Sequence, residues 1–423
     1  MSAVRRSSSI RLMRVAVAAG EASLLALLAG CSSGGGRQPT GEGVSAVASA
    51  SAAPRPTATA AVTEKARPAD DLKSAPFAVK GREYVTLARV RSVPTTGRAL
   101  GQVALTPDGL FVVSVYDPKK EQNALRHGRL GPHRMALFDP RTKTLDYLPR
   151  LEDHGPNRQT VWAAATRRWV VWTETTSMDL YTDPWVLFSY DRRTGRTRQI
   201  ATAPLSRRGR RARVAMNGSA PTLAGNGRVF LAAAYGRGHN IHTGVYSVPV
   251  DGSAPLRREV DAADSPVATG HWLYYLTRQG KNTRLHRRNL KTGTHVTLQD
   301  GLTDGCPRIV GVAANARVVA WSDRCGHGHN RVVIQDGTDR GHRVVIDNSH
   351  GKLMGYLQAT SRYIGFGVGT GPYKEYFYDL KRHQLFRFGH GRGSGVLSGN
   401  KDMFVSCTYL GGDRCHNQLV KLK

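Results

Sequence analysis

Residues 160–201 read TVWAAATRRWVVWTETTSMDLYTDPWVLFSYDRRTGRTRQIA, and this stretch decides the fold. Its apolar runs are short and rich in β-branched and aromatic residues, and polar breaks at residues 166–168 and 191–195 separate them. Runs of this kind between such breaks are typical of β-strands joined by hairpins. The stretch therefore predicts four consecutive strands of one antiparallel sheet.

The four-strand pattern recurs along the chain. Its second strand is the easiest to locate, and seven copies occur, at residues 110–113, 169–172, 229–232, 272–275, 318–321, 363–366 and 403–406. The spacing of about 40 to 60 residues is close to the period of β-propeller blades, in which four-stranded sheets surround a common axis. We expect an all-β fold, a seven-bladed β-propeller, with six or eight blades as alternatives.

The last repeat is incomplete. After residues 403–406 the chain has room for one more strand, at residues 418–422, before it ends. A strand-like run at residues 84–90 stands unpaired ahead of the first repeat. Pairing this N-terminal strand with the last repeat would close the ring and cover an exposed sheet edge. We therefore predict closure by an N-terminal strand.

One turn of the repeat resembles a known family. Residues 105–109 read LTPDG and precede the second strand of the first repeat, as the S/T-P-D-G turn does in TolB-like propellers, exported cousins of WD-repeat proteins. The motif is present once. The resemblance implies an exported propeller that acts as a platform for protein interactions, although a few exported propellers are enzymes.

The N-terminus has the pattern of an export signal. Four arginines precede a short apolar run that ends in Leu28-Ala29-Gly30-Cys31. This ending resembles the lipobox of bacterial lipoproteins, which implies that the Cys31 thiol carries lipid and anchors the chain to the outer face of the cytoplasmic membrane. Glu21 inside the apolar run departs from that pattern, and an ordinary secretory signal is the alternative. The general secretory and twin-arginine routes both remain open.

The chain divides into three segments. Residues 1–30 are the predicted lipoprotein signal peptide, and residues 76–423 are the predicted propeller domain. Between them, residues 31–75 consist mainly of Ser, Ala, Gly, Thr and Pro. Such a composition buries too little apolar surface to offset the entropy of ordering. We predict a flexible linker that holds the propeller away from the membrane.

The formal charge of the chain is +30, and removal of residues 1–30, which hold four arginines and one glutamate, leaves +27. A surface of this charge attracts polyanions such as anionic headgroups, wall phosphate polymers and nucleic acid. A compositional bias toward arginine explains the same charge without a function. We expect envelope proteins or anionic polymers as partners, a monomer, and no physiological role for nucleic acid.

Five cysteines are present. With Cys31 assigned to lipid, four remain, an even number in an exported chain. Cys306 opens the first strand of a repeat and Cys325 closes the second, while Cys407 and Cys415 lie across one hairpin. We predict disulfides Cys306–Cys325 and Cys407–Cys415. The spacing does not suit zinc, since no CxxC pair exists.

Long connections mark the expected working face. In a propeller, the connections after the second and fourth strands lie on the same face, and the long ones fall in the first three repeats, at residues 117–133, 150–159, 174–184, 202–220 and 235–243. One of them carries five arginines in seven residues: Arg207, Arg208, Arg210, Arg211 and Arg213. Guanidinium groups pair with phosphate or carboxylate oxygens, so these residues are our anion-binding candidates.

Other clusters carry weaker chemistry. Two histidine pairs, His239 with His242 and His327 with His329, lack a carboxylate in register, and we predict neither a metal nor a cofactor. The acidic loop residues have no recognisable catalytic spacing, and we predict no catalytic residue; the candidates considered were Glu152, Asp153, His154, Glu174, Asp179 and Asp183. No nucleophile elbow or dinucleotide motif is present.

Three functions fit these observations. We favour a membrane-tethered binding or scaffold protein over an enzyme. A propeller hydrolase or lyase acting on polysaccharide is the second hypothesis, and an accessory subunit of a membrane sensor or transporter is the third. An enzyme would need two carboxylates, or a carboxylate and a histidine, converging in the central channel.

Replacing Cys31 by Ser should move the chain from the membrane to the soluble fraction, because the acyl chains would have no attachment site. Detergent-phase partitioning at high salt measures this, since salt removes purely electrostatic binding. Ser32→Ala serves as the matched control and should stay with the membrane. Retention of the Cys31→Ser variant would contradict the lipid anchor.

Overall fold

The computed structural model describes residues 67–68, 72, 75–78, 80, 82, 84–90, 99–127, 131–151, 159–175, 185–203, 220–237, 240–301, 305–326, 329–336, 343–348, 354–369, 374–388, 398–400, 402–411 and 414–423. Within them, seven sheets are arranged in a ring. The seven-bladed β-propeller predicted from the repeats is confirmed.

The chain enters through two strands, β1 (Arg67–Pro68) and β2 (Tyr84–Val90). Blade 1 consists of β3 (Ala99–Leu105), β4 (Phe111–Tyr116), helix α1 (Pro118–Arg126), β5 (His133–Asp139) and β6 (Thr144–Tyr147). Blade 2 consists of β7 (Gln159–Ala165), β8 (Trp169–Thr175), β9 (Trp185–Asp191) and β10 (Arg196–Thr202). Blade 3 consists of β11 (Thr222–Leu223), β12 (Arg228–Arg237), β13 (Asn240–Pro249) and β14 (Arg257–Val260).

The remaining blades follow the same order. Blade 4 consists of β15 (Ala263–Thr269), β16 (Trp272–Gln279), β17 (Asn282–Asn289) and β18 (His295–Asp300). Blade 5 consists of β19 (Arg308–Ala314), β20 (Val318–Arg324), β21 (Asn330–Asp336) and β22 (Arg343–Asn348). Blade 6 consists of β23 (Met354–Ala359), β24 (Tyr363–Val368), β25 (Lys374–Asp379) and β26 (Gln384–Phe388). Blade 7 contains β27 (Ser398–Asn400), β28 (Met403–Gly411) and β29 (Arg414–Leu422). In the described part of the chain no helix has the length and hydropathy needed to span a membrane.

Blade 7 is completed from the other end of the chain. Strand β2 pairs antiparallel with β29, from Tyr84 opposite Leu422 to Val90 opposite Asn417. It is therefore the outermost strand of a sheet whose other three strands come from the C-terminus. This is the closure predicted from the incomplete last repeat.

The segment before β2 runs along neighbouring blades. Strand β1 pairs parallel with β22 at the outer edge of blade 5, and Phe77 forms a bridge with Arg387 of blade 6. Leu72 and Ala75 are buried in the apolar cluster between these two blades. The end of the predicted linker therefore supplies apolar side chains to the propeller.

The core consists of the interfaces between blades. Seven apolar clusters occur among the described residues, and each contains side chains from two neighbouring blades. Between blades 4 and 5, for example, Tyr274 and Leu285 pack with Trp321, which is fully buried. Alternate residues of each strand face opposite neighbours, so every blade contributes to two clusters. Every interface of the ring therefore buries apolar surface from two blades.

The two faces of the ring differ. We call loop face the one that carries the connections from second to third strands and from fourth strands to the next blade. We call turn face the opposite one, which carries the tight turns from first to second and from third to fourth strands. The first strand of each blade lines the central channel.

The turn that resembles the TolB-like motif lies on the turn face of blade 1. The Thr106 hydroxyl is fully buried and accepts a hydrogen bond from the Leu110 amide at 2.9 Å. Gly109 has φ +87°, a conformation that disfavours other residues. In other blades Thr or Asn plays the same role: Thr166 accepts from Trp169, Thr360 from Tyr363 and Asn315 from Val318.

Arginine–aspartate pairs link the turns of the turn face. Arg168 pairs with Asp191 at 2.8 Å in blade 2, and Arg362 pairs with Asp379 at 2.6 Å in blade 6. Each pair joins the start of a second strand to the end of a third. Burial alone would raise the pKa of Asp379, but Arg362 and two backbone amides hold it below its usual range. The carboxylate is therefore ionised and stabilises the fold.

Replacing Asp379 by Ala should lower the free energy of unfolding by about 2–4 kcal/mol, because it leaves Arg362 without its partner and two amides without an acceptor. The matched control is Asp139→Ala at the same position of blade 1. Asp139 is 18 % exposed against 1 % for Asp379. Asp139→Ala should lower the free energy of unfolding by less than about 1 kcal/mol. Urea denaturation measures both, and equal losses would contradict the role of the buried pair.

Candidate functional site

The longest intervals between strands at the loop face lie between blades 1 and 3. The strands that flank residues 117–132, 148–158, 176–184 and 203–221 end on this face. In blade 4 the corresponding hairpin leaves only residues 280–281 between β16 and β17. The strand ends agree with the lengths expected from the sequence, and much of these connections lies outside the described residues.

Two of the predicted loops contain regular structure. Residues 235–243 mostly extend the hairpin of blade 3, since β12 and β13 pair as far as Arg237 opposite Asn240. Residues 117–133 contain α1, whose first turn is capped by the Asp117 carboxylate, 2.9 Å from the Lys119 amide. Asp followed by Pro is a helix-start signal. That signal was present in the sequence and was missed.

A buried polar array connects α1 to blade 1. The Glu121 carboxylate accepts hydrogen bonds from the Gly131 amide at 2.7 Å and from the His133 ring at 3.2 Å. The other ring nitrogen of His133 lies 2.8 Å from the Ser114 hydroxyl. Tyr116 stacks on the imidazole, with ring centroids 4.8 Å apart.

The array fixes the tautomer of His133. Because the Glu121 carboxylate can only accept, Nε2 of His133 carries the proton and Nδ1 accepts from the Ser114 hydroxyl. Burial lowers the pKa of His133, although Glu121 opposes this effect. The imidazole is therefore neutral at neutral pH.

A narrow cavity lies beside His133 on the loop face, between blades 1 and 2. Its volume is about 40 Å³, enough for ordered water. The Trp172 indole donates to Glu174 at 2.8 Å in its wall. Two exposed arginines, Arg134 and Arg150, stand at its rim. Arg134 lies over the ring of Tyr147 at 4.4 Å.

Ser114, His133 and Glu121 are hydrogen-bonded in series, as in a hydrolytic triad. Their geometry assigns them another role. Ser114 is 4 % exposed and lies in the middle of β4. It does not line the cavity. A nucleophile must reach its substrate. The array instead joins two strands to α1 and holds this helix on the loop face.

The central channel was the expected place for catalytic groups. In the described parts of the seven first strands, Asp264 is the only carboxylate, and no histidine occurs there. Asp264 accepts from Arg278 at 2.7 Å and from Ser265 at 2.9 Å. These strands therefore bring no pair of catalytic type together.

One predicted disulfide is present and the other stays a prediction. Cys306 and Cys325 are bonded, because pairing of β19 with β20 brings the flanking residues together. In the last blade, Cys407 is opposite Asn417 and Cys415 is opposite Tyr409. The two cysteines are thus two rungs apart in one ladder rather than directly opposed. The structure describes their backbone and not their side chains.

Several predicted residues lie outside the described part of the chain. These are Cys31 and the anion-binding candidates Arg207, Arg208, Arg210, Arg211 and Arg213. The same holds for His239, His327 and the acidic candidates other than Glu174. Among the residues that are described, no group of three His, Cys, Asp or Glu side chains is placed to hold a metal ion.

The neutral state of His133 predicts that the stability of the folded protein depends on pH. The pKa of His133 is lowered in the folded protein, while the unfolded imidazole takes up a proton near pH 6.5. The free energy of unfolding therefore decreases as the pH falls below about 6.5, by up to about 1.4 kcal/mol per pH unit. Replacing His133 by Gln should make this loss smaller.

Urea midpoints at pH 7.5 and 5.5 measure the effect. The matched control is His271→Gln, since His271 is exposed. The control should show the same difference between the two pH values as the unmodified chain. If His133→Gln also keeps that difference, the neutral, buried state of His133 is contradicted.

Comparison with known proteins supports the fold. No protein-family model and no curated protein matches the chain. Among solved structures, an oligogalacturonate lyase in complex with manganese matches with TM-score 0.52 and 10 % identity over 80 % of this chain and 96 % of its own. A prolyl endopeptidase structure matches with TM-score 0.51 and 10 % identity over 81 % of this chain. The propeller domain of the trilobed protease from Pyrococcus furiosus matches with TM-score 0.50 and 9 % identity over 74 % of this chain and 89 % of its own. The chain spans 50 % of the prolyl endopeptidase chain.

At these identities the likeness shows a shared β-propeller fold.

Proposed function

We propose that the chain is a membrane-tethered extracytoplasmic propeller that binds acidic envelope proteins or anionic polymers through its loop face. The observation that carries the proposal is the elaborate loop face over blades 1 to 3, built in a chain whose formal charge is +30. Long connections on a rigid ring are the usual place for binding residues. The positive charge of the chain favours anionic partners.

The described residues supply part of this surface. Arg134 and Arg150 are exposed at the rim of the cavity between blades 1 and 2. Stacking on Tyr147 holds the Arg134 guanidinium with its edge free for an anion. The array of Glu121, His133 and Ser114 keeps α1 in place beside this rim. A fixed frame lowers the entropy cost of binding.

We propose that the arginine-rich connection contributes to the same surface. Residues 207–213 fall in the sequence between the last strand of blade 2 and the first strand of blade 3, whose described ends lie on the loop face. Cys31 and the linker would present this face to the envelope outside the cytoplasmic membrane. The chain acts as a monomer here, without a cofactor.

Polysaccharide cleavage is the second candidate. One observation favours it: the fold likeness to the oligogalacturonate lyase covers 96 % of that protein, so a propeller alone can serve as the body of a lyase. Incubation of the full chain with acidic and neutral polysaccharides, followed by absorbance of unsaturated ends and of reducing ends, tests it. Cleavage abolished by a loop-face substitution would replace binding as the primary function.

The full chain should bind polyglutamate and polyphosphate but not neutral dextran, with an affinity that falls as salt rises. Replacing Arg207, Arg208, Arg210, Arg211 and Arg213 together by Glu should weaken this binding at least about tenfold, since several charge-assisted hydrogen bonds are lost. Fluorescence anisotropy of labelled polymer measures the affinity.

The matched control makes the same change of charge on the turn face, by replacing Arg167, Arg193, Arg196, Lys291 and Arg317 with Glu. All five are exposed there. The control should keep more of the affinity than the loop variant. Equal losses in the two variants would show that net charge alone binds the polymer, and the proposed binding face would be rejected.

A further inference from the structure

Two arginines share one rung at the mouth of the central channel. Arg308 is the first residue of β19, the channel-lining strand of blade 5, and Arg324 is the last residue of β20. They are directly opposite each other in the ladder. Opposed residues leave the same side of a sheet with their Cβ atoms about 5 Å apart. Both strand ends lie on the loop face.

A third arginine approaches from blade 4. Arg278 lies in β16, and its guanidinium donates through Nε to Asp264 at 2.7 Å. Asp264 is buried and also accepts from Ser265. Arg278 is 42 % exposed. Its outer nitrogens therefore remain available for a ligand.

Arg308 and Arg324 differ from the other arginines at this end of blades 4 and 5. Arg284 pairs with Asp300 at 3.0 Å and Arg331 pairs with Asp323 at 2.9 Å. Within the described residues, neither Arg308 nor Arg324 has an ion pair or a side-chain hydrogen bond. Burial and the charges of Arg324 and Arg278 lower the pKa of Arg308. The described carboxylates nearby, Asp264, Asp300 and Asp323, pair with other arginines, so the pair has no counter-charge within the described residues.

A covalent link holds this repulsive pair together. The disulfide joins Cys306, two residues before Arg308, to Cys325, which directly follows Arg324. The preceding segment packs closely on blade 4: the Thr283 amide donates to the Pro307 carbonyl at 2.8 Å. A Cβ at Gly301 would lie 2.8 Å from the same oxygen. Like charges opposed on a rung destabilise a sheet, and here the cross-link prevents them from separating.

We propose that Arg308 and Arg324, with Arg278, form a binding site for an oxyanion, a carboxylate or phosphate group of a ligand that enters the channel mouth on the loop face. Guanidinium groups donate paired hydrogen bonds to such oxygens. An anion bound between them removes the repulsion between two positive charges. Because the disulfide already holds the arginines in place, little ordering is needed on binding. The inference rests on the proposed function in taking an anion as the ligand.

The test uses the full chain with citrate and with inorganic phosphate, at constant ionic strength adjusted with NaCl. Calorimetric titration gives the affinity, and the rise in Tm gives a second readout. The double variant Arg308→Gln with Arg324→Gln should weaken binding at least tenfold and lose the rise in Tm. The matched control is Arg317→Gln, an exposed residue of the same blade on the turn face. It should change the affinity less than twofold.

The two probes and two further variants make the outcome decisive. Stronger binding of citrate than phosphate indicates a carboxylate ligand, and the reverse indicates a phosphate ligand. Arg324→Gln alone, without anion, should have a Tm no lower than that of the unmodified chain, since it removes a repulsive pair. Replacing Cys306 and Cys325 by Ser should weaken anion binding. If the double variant binds both probes as tightly as the Arg317→Gln control does, the site is overturned.

Failure of this site and failure of the proposed function give different results. If the unmodified chain binds polyglutamate or polyphosphate and the double variant binds them equally, the site is wrong and the proposed function stands. If citrate or phosphate binds through Arg308 and Arg324 while neither polymer binds, the site stands and the polymer-binding function fails.

Discussion

The pairing of β2 with β29 is the constraint on which the rest of the structure depends. Every blade buries its two sides against neighbours, so an open ring would expose two apolar sheet faces. The N-terminal strand prevents this by completing the sheet of blade 7 from Tyr84 to Val90. The residues before it add to the closure, because they contact the outer edges of blades 5 and 6. The described residues nearest the N-terminus thus bind three consecutive blades together.

The pairing of charged side chains differs between the two faces of the ring. On the turn face, aspartates at strand ends pair with arginines, and Asp379 is almost fully buried in such a pair. Arg192 of blade 2 also reaches Asp108 of blade 1 at 2.7 Å, so these pairs bridge blades as well as turns. On the loop face, Arg308 and Arg324 have no ion pair within the described residues. Charge on the turn face contributes to stability, and we propose that charge on the loop face binds a ligand.

The sequence predicted the features that depend on local pattern. Alternating apolar runs located all seven second strands, and the missing fourth strand of the last repeat pointed to residues 84–90. The cysteine pair Cys306 and Cys325 followed from the same strands, because neighbours in one hairpin are close in both sequence and space. The six tryptophans also fell in strands, as expected for side chains that fill interfaces.

Features that depend on distant contacts were not predictable in the same way. Residues Arg67 and Pro68 carry no strand pattern that indicates pairing with β22, since the partner lies far along the chain. Glu121, His133 and Ser114 converge only because α1 folds back onto two strands. Arg308 and Arg324 look like ordinary surface arginines until the register places them on one rung and the nearby carboxylates are seen to have other partners.

The central claim is that the loop face, and not the turn face, binds anions. Amide hydrogen exchange of the full chain, followed by mass spectrometry with and without polyglutamate, tests it most directly. The account predicts slower exchange on binding at residues 117–133, 301–308 and 324–330, and unchanged exchange at residues 139–144, 191–196 and 379–384. Slower exchange confined to the turn-face segments, with the polymer shown to be bound, would contradict it.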